Sequence, residues 1–380
     1  MNTTPPRDEA ALWLERIRSL TVVPGRFRIM NVCGGHERAL TMAGLRAILP
    51  AGIELIPGPG CPVCICPEED IHAAIELARR PDVTLVAFGD MLRVPANSAR
   101  GDLRSLAEAR AAGADVRPVA SPQEAVAIAR ENAGRHVVFF ATGFETTTAP
   151  VTAALLQGVP DNLTILLSCR RTWPAVAMLL ETGTAGIDAL IAPGHVATVM
   201  GPEEWEFVAE RHGLPVAVAG FTAASLLAGI YSVLRQALER RCFVDNTYAE
   251  TVRPGGNPGA RRCLDEVMEI ADANWRGIGV IPQSGYRLRP AWSRLDARRH
   301  FRIEVDRSRR RAGEMPPGCD CARVVLGRIA PDACALYGRG CTPHTPVGPC
   351  MVSDEGACRI WWAGGVRRQS RRPAGAEAGA

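Results

Sequence analysis

Three cysteines near the N-terminal end stand where they could do chemistry together. Cys33 lies in Asn31-Val32-Cys33-Gly34-Gly35-His36-Glu37, and Cys61 and Cys64 form a C-x-x-C in Gly58-Pro59-Gly60-Cys61-Pro62-Val63-Cys64. A C-x-x-C offers two thiols at a spacing suited to a redox disulfide or to two metal ligands. Two glycines follow Cys33 and let a ligand or another backbone approach closely. A helix starting near Glu37 would favour the Cys33 thiolate. His36 could ligate iron, pair with the thiolate or move protons. The plainer reading of Cys33 is a buried structural thiol with a capping histidine. Cys66 lies two residues beyond the pair, so Cys33, Cys61, Cys64 and Cys66 nominally make a four-thiolate zinc set.

A second set falls near the other end: Cys319, Cys321, Cys334, Cys341, Cys350 and Cys358. Four thiolates holding a [4Fe–4S] cluster is the economical reading, although the spacing matches neither common ferredoxin pattern. Two zinc ligand pairs or free thiols are the alternatives. Polar residues also end several apolar runs: Asp90 with Arg93, Glu145 before Thr146, and His195 after Gly194. Glu145 reads equally well as a first-turn carboxylate satisfying backbone N–H groups. His72, His136, His212, His300 and His344 read as structural or exposed.

These residues need elements to position them. Apolar runs at 26–33, 53–56, 83–88, 136–141, 163–167, 187–192 and 216–219 alternate with longer segments such as 68–80, 104–112 and 122–132. Short continuous apolar strands separated by helices indicate parallel sheets covered on both faces. The expected fold is therefore α/β, with two doubly wound parallel-sheet domains. Their bounds are read as 20–130 and 131–300, followed by a cysteine-rich region at 301–364 and a disordered tail at 365–380. Cys33, Cys61, Cys64, Asp90, Glu145 and His195 all fall at strand ends, where open α/β sheets bind ligands.

Composition removes several function classes. The chain has 380 residues, 47% hydrophobic and 22% charged, which suits two or three globular domains. A net charge of +4 argues against nucleic acid as the main partner. Arginines cluster at 307–311 and 367–372, as a solvated linker and terminus or as a docking patch for an acidic partner. All 44 basic residues are arginine, so Schiff-base and P-loop lysine chemistry is excluded. No complete G-x-G-x-x-G follows a strand, which weakens a nucleotide-dependent oxidoreductase. The first ten residues lack an apolar signal core. The most apolar window, 215–234, is broken by Gly220 and Gly229. A cytoplasmic chain without membrane spans is expected. Stable disulfides are uncommon there, so 13 cysteines suggest metal or redox work.

Seven motifs in order resemble the HypD family of hydrogenase maturation factors. They are Val32-Cys33-Gly34-Gly35-His36, the Gly58–Cys64 stretch, Asp90-Met91-Leu92-Arg93-Val94-Pro95 and Gly143-Phe144-Glu145-Thr146-Thr147, then Trp275-Arg276-Gly277, Ile281-Pro282-Gln283-Ser284-Gly285 and the Gly348–Cys358 stretch. The resemblance runs from about residue 26 to 362. It implies two Rossmann-like domains facing a cleft, a C-terminal [4Fe–4S] region, and a role in building the Fe(CN)₂CO group of [NiFe]-hydrogenases. The implied partners are a HypC-type chaperone and a HypE-type cyanide donor. By motif, Cys33 would bind the iron that receives the ligands, Cys61 and Cys64 would be its redox or ligating pair, and His36 would assist. The implied cluster ligands are Cys319, Cys334, Cys341 and Cys358, leaving out Cys321 and Cys350.

The chain departs from the family pattern in three places. Glu37 stands where threonine is usual, and a carboxylate beside the thiolate is expected to raise the Cys33 pKa. Gly220-Phe221-Thr222-Ala223 lacks the usual acidic residue and proline. Cys66 is an extra thiol able to enter disulfide exchange. The expected function is a scaffold and redox protein for iron. The alternative is a non-catalytic, zinc-stabilised interaction protein.

Overall fold

The computed structural model describes residues 6–20, 25–98, 101–183, 186–303 and 315–367. Each of the seven expected runs forms a strand. They are β1 (Phe27–Asn31), β2 (Ile53–Pro57), β3 (Val83–Phe88), β5 (His136–Gly143), β6 (Leu163–Cys169), β7 (Ala189–Pro193) and β8 (Val216–Ala219), with β4 (Val116–Val119) and β9 (Val244–Asn246) added. One sheet runs β2-β1-β7-β8-β9 and the other β4-β3-β5-β6, and every pairing in both is parallel. Helices on both faces account for the unbroken apolar runs; all five residues of β7 are buried.

The strand grouping corrects the boundary expected near residue 130. β1 and β2 share a sheet with strands from beyond residue 188, through the β1–β7 pair, while β3 and β4 share one with β5 and β6, through the β3–β5 pair. The chain starts in one sheet, builds the whole of the second, and returns to finish the first. A parallel neighbour requires only a crossover of sufficient length. Short apolar runs carry no label saying which strand they will join, so the interleaving leaves no trace in the periodicity.

The other elements missed in sequence have local causes. β4 contains Pro118 and is an edge strand, where proline is tolerated. β10 (Met268–Trp275) and β11 (Gly279–Leu288) form an antiparallel hairpin. Gly277 (φ 70°) and Gly279 (φ 106°) turn it in the left-handed region that glycine adopts freely.

The C-terminal cysteines do not form a separate unit. Cys321, Cys334, Cys341, Cys350 and Cys358 share one apolar core with Val83, Leu85, Phe140 and Trp275. The start of the expected disordered tail is packed: the Tyr337 hydroxyl donates to the Val366 carbonyl at 3.0 Å, and the Arg367 guanidinium lies 4.2 Å from the Trp362 ring centre. Residues 368–380 and the arginine run at 307–311 lie outside the described residues. No helix among the described residues is long and apolar enough to cross a membrane.

Each sheet has a point where strand order reverses, between β1 and β7 in the first and between β3 and β5 in the second. Ligands of doubly wound sheets bind outside the carboxyl ends of strands at such points. Cys33 and His195 follow β1 and β7; Asp90 and Glu145 follow β3 and β5.

Candidate functional site

β1 and β2 are neighbours in parallel register, with Asn31 opposite Pro57, so the loops after them adjoin. Cys33 caps the helix Gly34–Met42, and Cys61 caps the short helix Pro62–Ile65. Gly60 makes the approach possible, because a side chain there would stand 2.5 Å from the Cys33 nitrogen and Cα. The Gly34 N–H donates to the Gly60 carbonyl at 3.1 Å. Cys61 and Cys64 form a disulfide. Cys33, Cys61 and Cys64 line one narrow cavity of about 10 Å³, together with Glu37, Cys350 and Glu355.

The environment of Cys33 differs from expectation. Burial, and then the Glu355 carboxylate, push its thiol up to about 12, against the backbone N–H groups of His36 and Gly35. The helix start does favour the thiolate, but desolvation outweighs it, so Cys33 is a protonated thiol at neutral pH. The carboxylate acting on it is Glu355, not Glu37. Glu37 turns instead to Arg46, Trp361 and Asn31. Burial and the nearby Asp90 raise Glu355 itself to about 7. Asp90 accepts hydrogen bonds from the Ser353 hydroxyl and the Asp354 N–H, both at 3.0 Å, which ties the end of β3 to this C-terminal loop.

His36 is fully buried, with Nδ1 at 3.1 Å from Asn31 Oδ1 and Nε2 at 2.9 Å from the Ala219 carbonyl. Burial lowers its pKa to about 3, so the ring is neutral. Both nitrogens have partners, and the ring joins the Cys33 turn to the end of β8. Ligation of iron by His36 would require one of these contacts to break. Phe221 lies between His36 and His195, tilted against the first with ring centres 4.6 Å apart and stacked on the second at 3.7 Å.

The four-thiolate zinc set is not assembled. Two of its sulfurs are bonded to each other, and Cys66 turns to the Ser168 hydroxyl at 3.4 Å. Glu145 is fully buried and accepts from the Thr172 N–H and hydroxyl, each at 2.7 Å. It thereby bridges the ends of β5 and β6. Arg93 donates to the Pro343 carbonyl at 2.5 Å.

The C-terminal thiols gather under the C-x-x-C helix. Cys319 Sγ donates to Cys321 Sγ at 3.3 Å. The neighbouring Cys321 and Cys358 thiols hold the Cys350 pKa well below the usual thiol value. The Cys358 N–H adds a bond to Cys350 Sγ at 3.3 Å. Cys334 faces the backbone N–H groups of Asp320 and Leu336, and Cys341 those of Val347 and Gly348. Among the described residues no three side chains already surround one point as ligands of a metal ion. The donor set nevertheless fits a thiolate-held cluster. It contains six neighbouring thiols, five of them buried, with N–H groups aimed at sulfur as iron–sulfur sites use them. Gly348 belongs to this cradle, since a side chain there would stand 2.5 Å from both Cys319 and Cys321 sulfurs.

Sequence reasoning gave no role to Glu355 and left Cys350 aside, yet both line the Cys33 cavity. Each lies within the Gly348–Cys358 stretch, but nothing in its spacing points towards residue 33.

Fold and site together define an α/β protein of two parallel sheets, with a half-buried thiol that shares a cavity with a disulfide, backed by a second thiol cluster. The chain belongs to the HypD family, whose model is described as the hydrogenase formation hypA family and matches residues 8–365. It is similar to the hydrogenase maturation factor HypD of Azotobacter vinelandii, 40% identical over 354 residues and covering 91% of each chain. The HypD of Rhodobacter capsulatus is 41% identical over 344 residues, covering 89% of this chain and 90% of the relative. The HypD of Escherichia coli K12 is 41% identical over 354 residues, covering 92% of each.

Proposed function

We propose that the chain is a [NiFe]-hydrogenase maturation factor, a scaffold and redox protein on which the Fe(CN)₂CO group is assembled. The observation that carries this reading is the cavity shared by Cys33, the Cys61–Cys64 disulfide and Cys350. Iron is the cargo, held by Cys33. A HypC-type chaperone and a HypE-type cyanide donor are the partners.

The residues suit the work. Binding iron displaces the Cys33 proton, and Glu355, poised near neutrality, is placed to accept it. Opening the Cys61–Cys64 disulfide takes two electrons and two protons and yields two thiols. Soft thiolates then suit an iron that carries strong-field ligands. Cys319, Cys334, Cys341 and Cys358 are the proposed holders of a [4Fe–4S] cluster, which when bound would supply electrons one at a time. Cys321 and Cys350 remain outside that set, with Cys350 facing the cavity.

The test is anaerobic purification followed by metal analysis and optical and infrared spectra. About four irons per chain in a cluster are expected. Cys33→Ala should abolish hydrogenase maturation and keep the cluster absorbance. Stoichiometric zinc without iron would overturn the reading in favour of a zinc-stabilised interaction protein.

A further inference from the structure

The Glu37 carboxylate sits at the contact between two helices that carry cysteines. Glu37 belongs to the helix Gly34–Met42, capped by Cys33; Trp361 belongs to Ala357–Ala363, which contains Cys358. Glu37 Oε1 accepts the Trp361 indole N–H at 2.6 Å and an Arg46 N–H at 2.8 Å. Glu37 Oε2 accepts from Arg46 at 2.7 Å and from the Asn31 amide at 3.5 Å. The Arg46 guanidinium also lies 5.1 Å from the Trp361 ring centre.

Glu37 is only 2% exposed, so water does not compete for these bonds. Charge-assisted hydrogen bonds are about twice as strong as neutral ones. A threonine hydroxyl at this place ends two bonds short of the carboxylate oxygens and does not span to Trp361. The helices meet closely here, because a side chain on Gly364 would run into Thr41. On the cavity side, Glu355 fills the space beside Gly34. The Cys358 N–H reaches Cys350, which lines the cavity with Cys33.

We propose that Glu37 is a positioning residue that, with Arg46 and Trp361, clamps the Cys33 turn onto the Cys358 helix and holds closed the cavity Cys33 shares with Cys350. The inference rests on reading that cavity as the working site. Cys33 is half-buried in this arrangement, and the clamp limits how much further it is exposed while keeping the two groups of thiols at a fixed separation.

The test is the rate of Cys33 alkylation by iodoacetamide in the anaerobic full-length chain, mapped by peptide mass spectrometry. Cys33 is partly exposed, so it is the rate above that of the wild type that reports the population of the open form. Loss of a hydrogen bond to a charged group should raise that population about tenfold. Glu37→Thr and Trp361→Phe should each show this acceleration. Glu37→Gln keeps an oxygen for the Trp361 N–H but loses the charge, so its rate should fall between those of the wild type and Glu37→Thr. Trp361→Phe keeps the ring and loses only the N–H, so it carries the test if Glu37→Thr does not fold. Unchanged Cys33 rates in the folded variants would overturn the clamp. So would a Glu37→Gln rate equal to that of Glu37→Thr. Failure of the functional reading is seen separately, as normal maturation by Cys33→Ala, and does not alter these rates.

Discussion

Glu355 occupies the space that a side chain on Gly34 would need. A Cβ on Gly34 would stand 2.5 Å from the Glu355 carbonyl oxygen and 2.9 Å from its Cα. The turn after β1 and the loop before the last helix therefore meet backbone to backbone. This contact delivers a carboxylate to Cys33.

Gly34→Ala should break that contact. Overpacking a closely packed site costs about 1–3 kcal/mol, and the Glu355 loop must move to admit the methyl group. Urea denaturation should show a loss in this range. Gly89→Ala is the control, since nothing lies within 4 Å of a Cβ placed there. Equal stability of the two variants would contradict the geometry.

The Cys33 thiol should titrate far above an ordinary cysteine. Its value rises from 9.0 to about 12, chiefly by burial and secondarily through Glu355. Alkylation of Cys33 should therefore keep rising with pH beyond 9. Glu355→Gln removes the second cause and leaves the first, so the midpoint should fall yet stay above the ordinary value. If Cys33 holds iron as proposed, uptake would release this proton and should strengthen as pH rises. A wild-type midpoint at or below 9, or an upward move in Glu355→Gln, would refute the assignment.

Much of this site was legible in sequence because it is local. Cys33 and the Cys61–Cys64 pair end consecutive strands, and consecutive strands often adjoin. The glycines between them mark close backbone approach, and Gly60 touches Cys33 as such a residue should. What was illegible comes from far along the chain. Trp361 reaches Glu37 across 324 residues, and Ser353 reaches Asp90 across 263. A carboxylate beside a cysteine in sequence suggests an electrostatic neighbour, so Glu37 was expected to act on Cys33. Two stronger donors draw it away, and a distant glutamate takes that place. The interleaving of the sheets has the same origin, since β1 and its neighbour β7 are separated in sequence by all the strands of the other sheet.

The stability of the chain should fall as pH rises across neutrality, and Glu204 should account for part of that fall. Burial and the nearby Glu145 raise Glu204 from 4.5 to about 8, with Arg171 opposing. Its Oε2 has no hydrogen-bond partner among the described residues. Between these two values the folded chain holds a proton that the unfolded chain has lost. Stability is then full below the unfolded value and declines as pH rises through the folded one. Glu204→Gln should flatten the decline between pH 5 and 8 in urea titrations, an effect of up to a few kcal/mol. A steeper decline in the variant would reverse the sign and refute the account.

Arg276 supplies a sharper stability test. It is 0% exposed, and its Nη2 donates to Glu68 Oε1 at 2.7 Å and to the Pro95 carbonyl at 2.8 Å. Its backbone N–H reaches the Ile65 carbonyl at 3.0 Å, so the hairpin turn is fastened to the C-x-x-C helix. Arg276→Met leaves the Glu68 carboxylate buried without its cation, and breaking a buried pair in this way costs about 3–5 kcal/mol. Changing Glu68→Gln in the same chain removes the stranded charge. The double variant should therefore recover part of the loss, a coupling that a double-mutant cycle reads directly. Arg276 also favours the thiolate forms of Cys66 and Cys319. Its removal should slow alkylation of Cys319 at fixed pH in the metal-free chain. If the single and double variants unfold at the same urea concentration, the pair is not what holds this corner together.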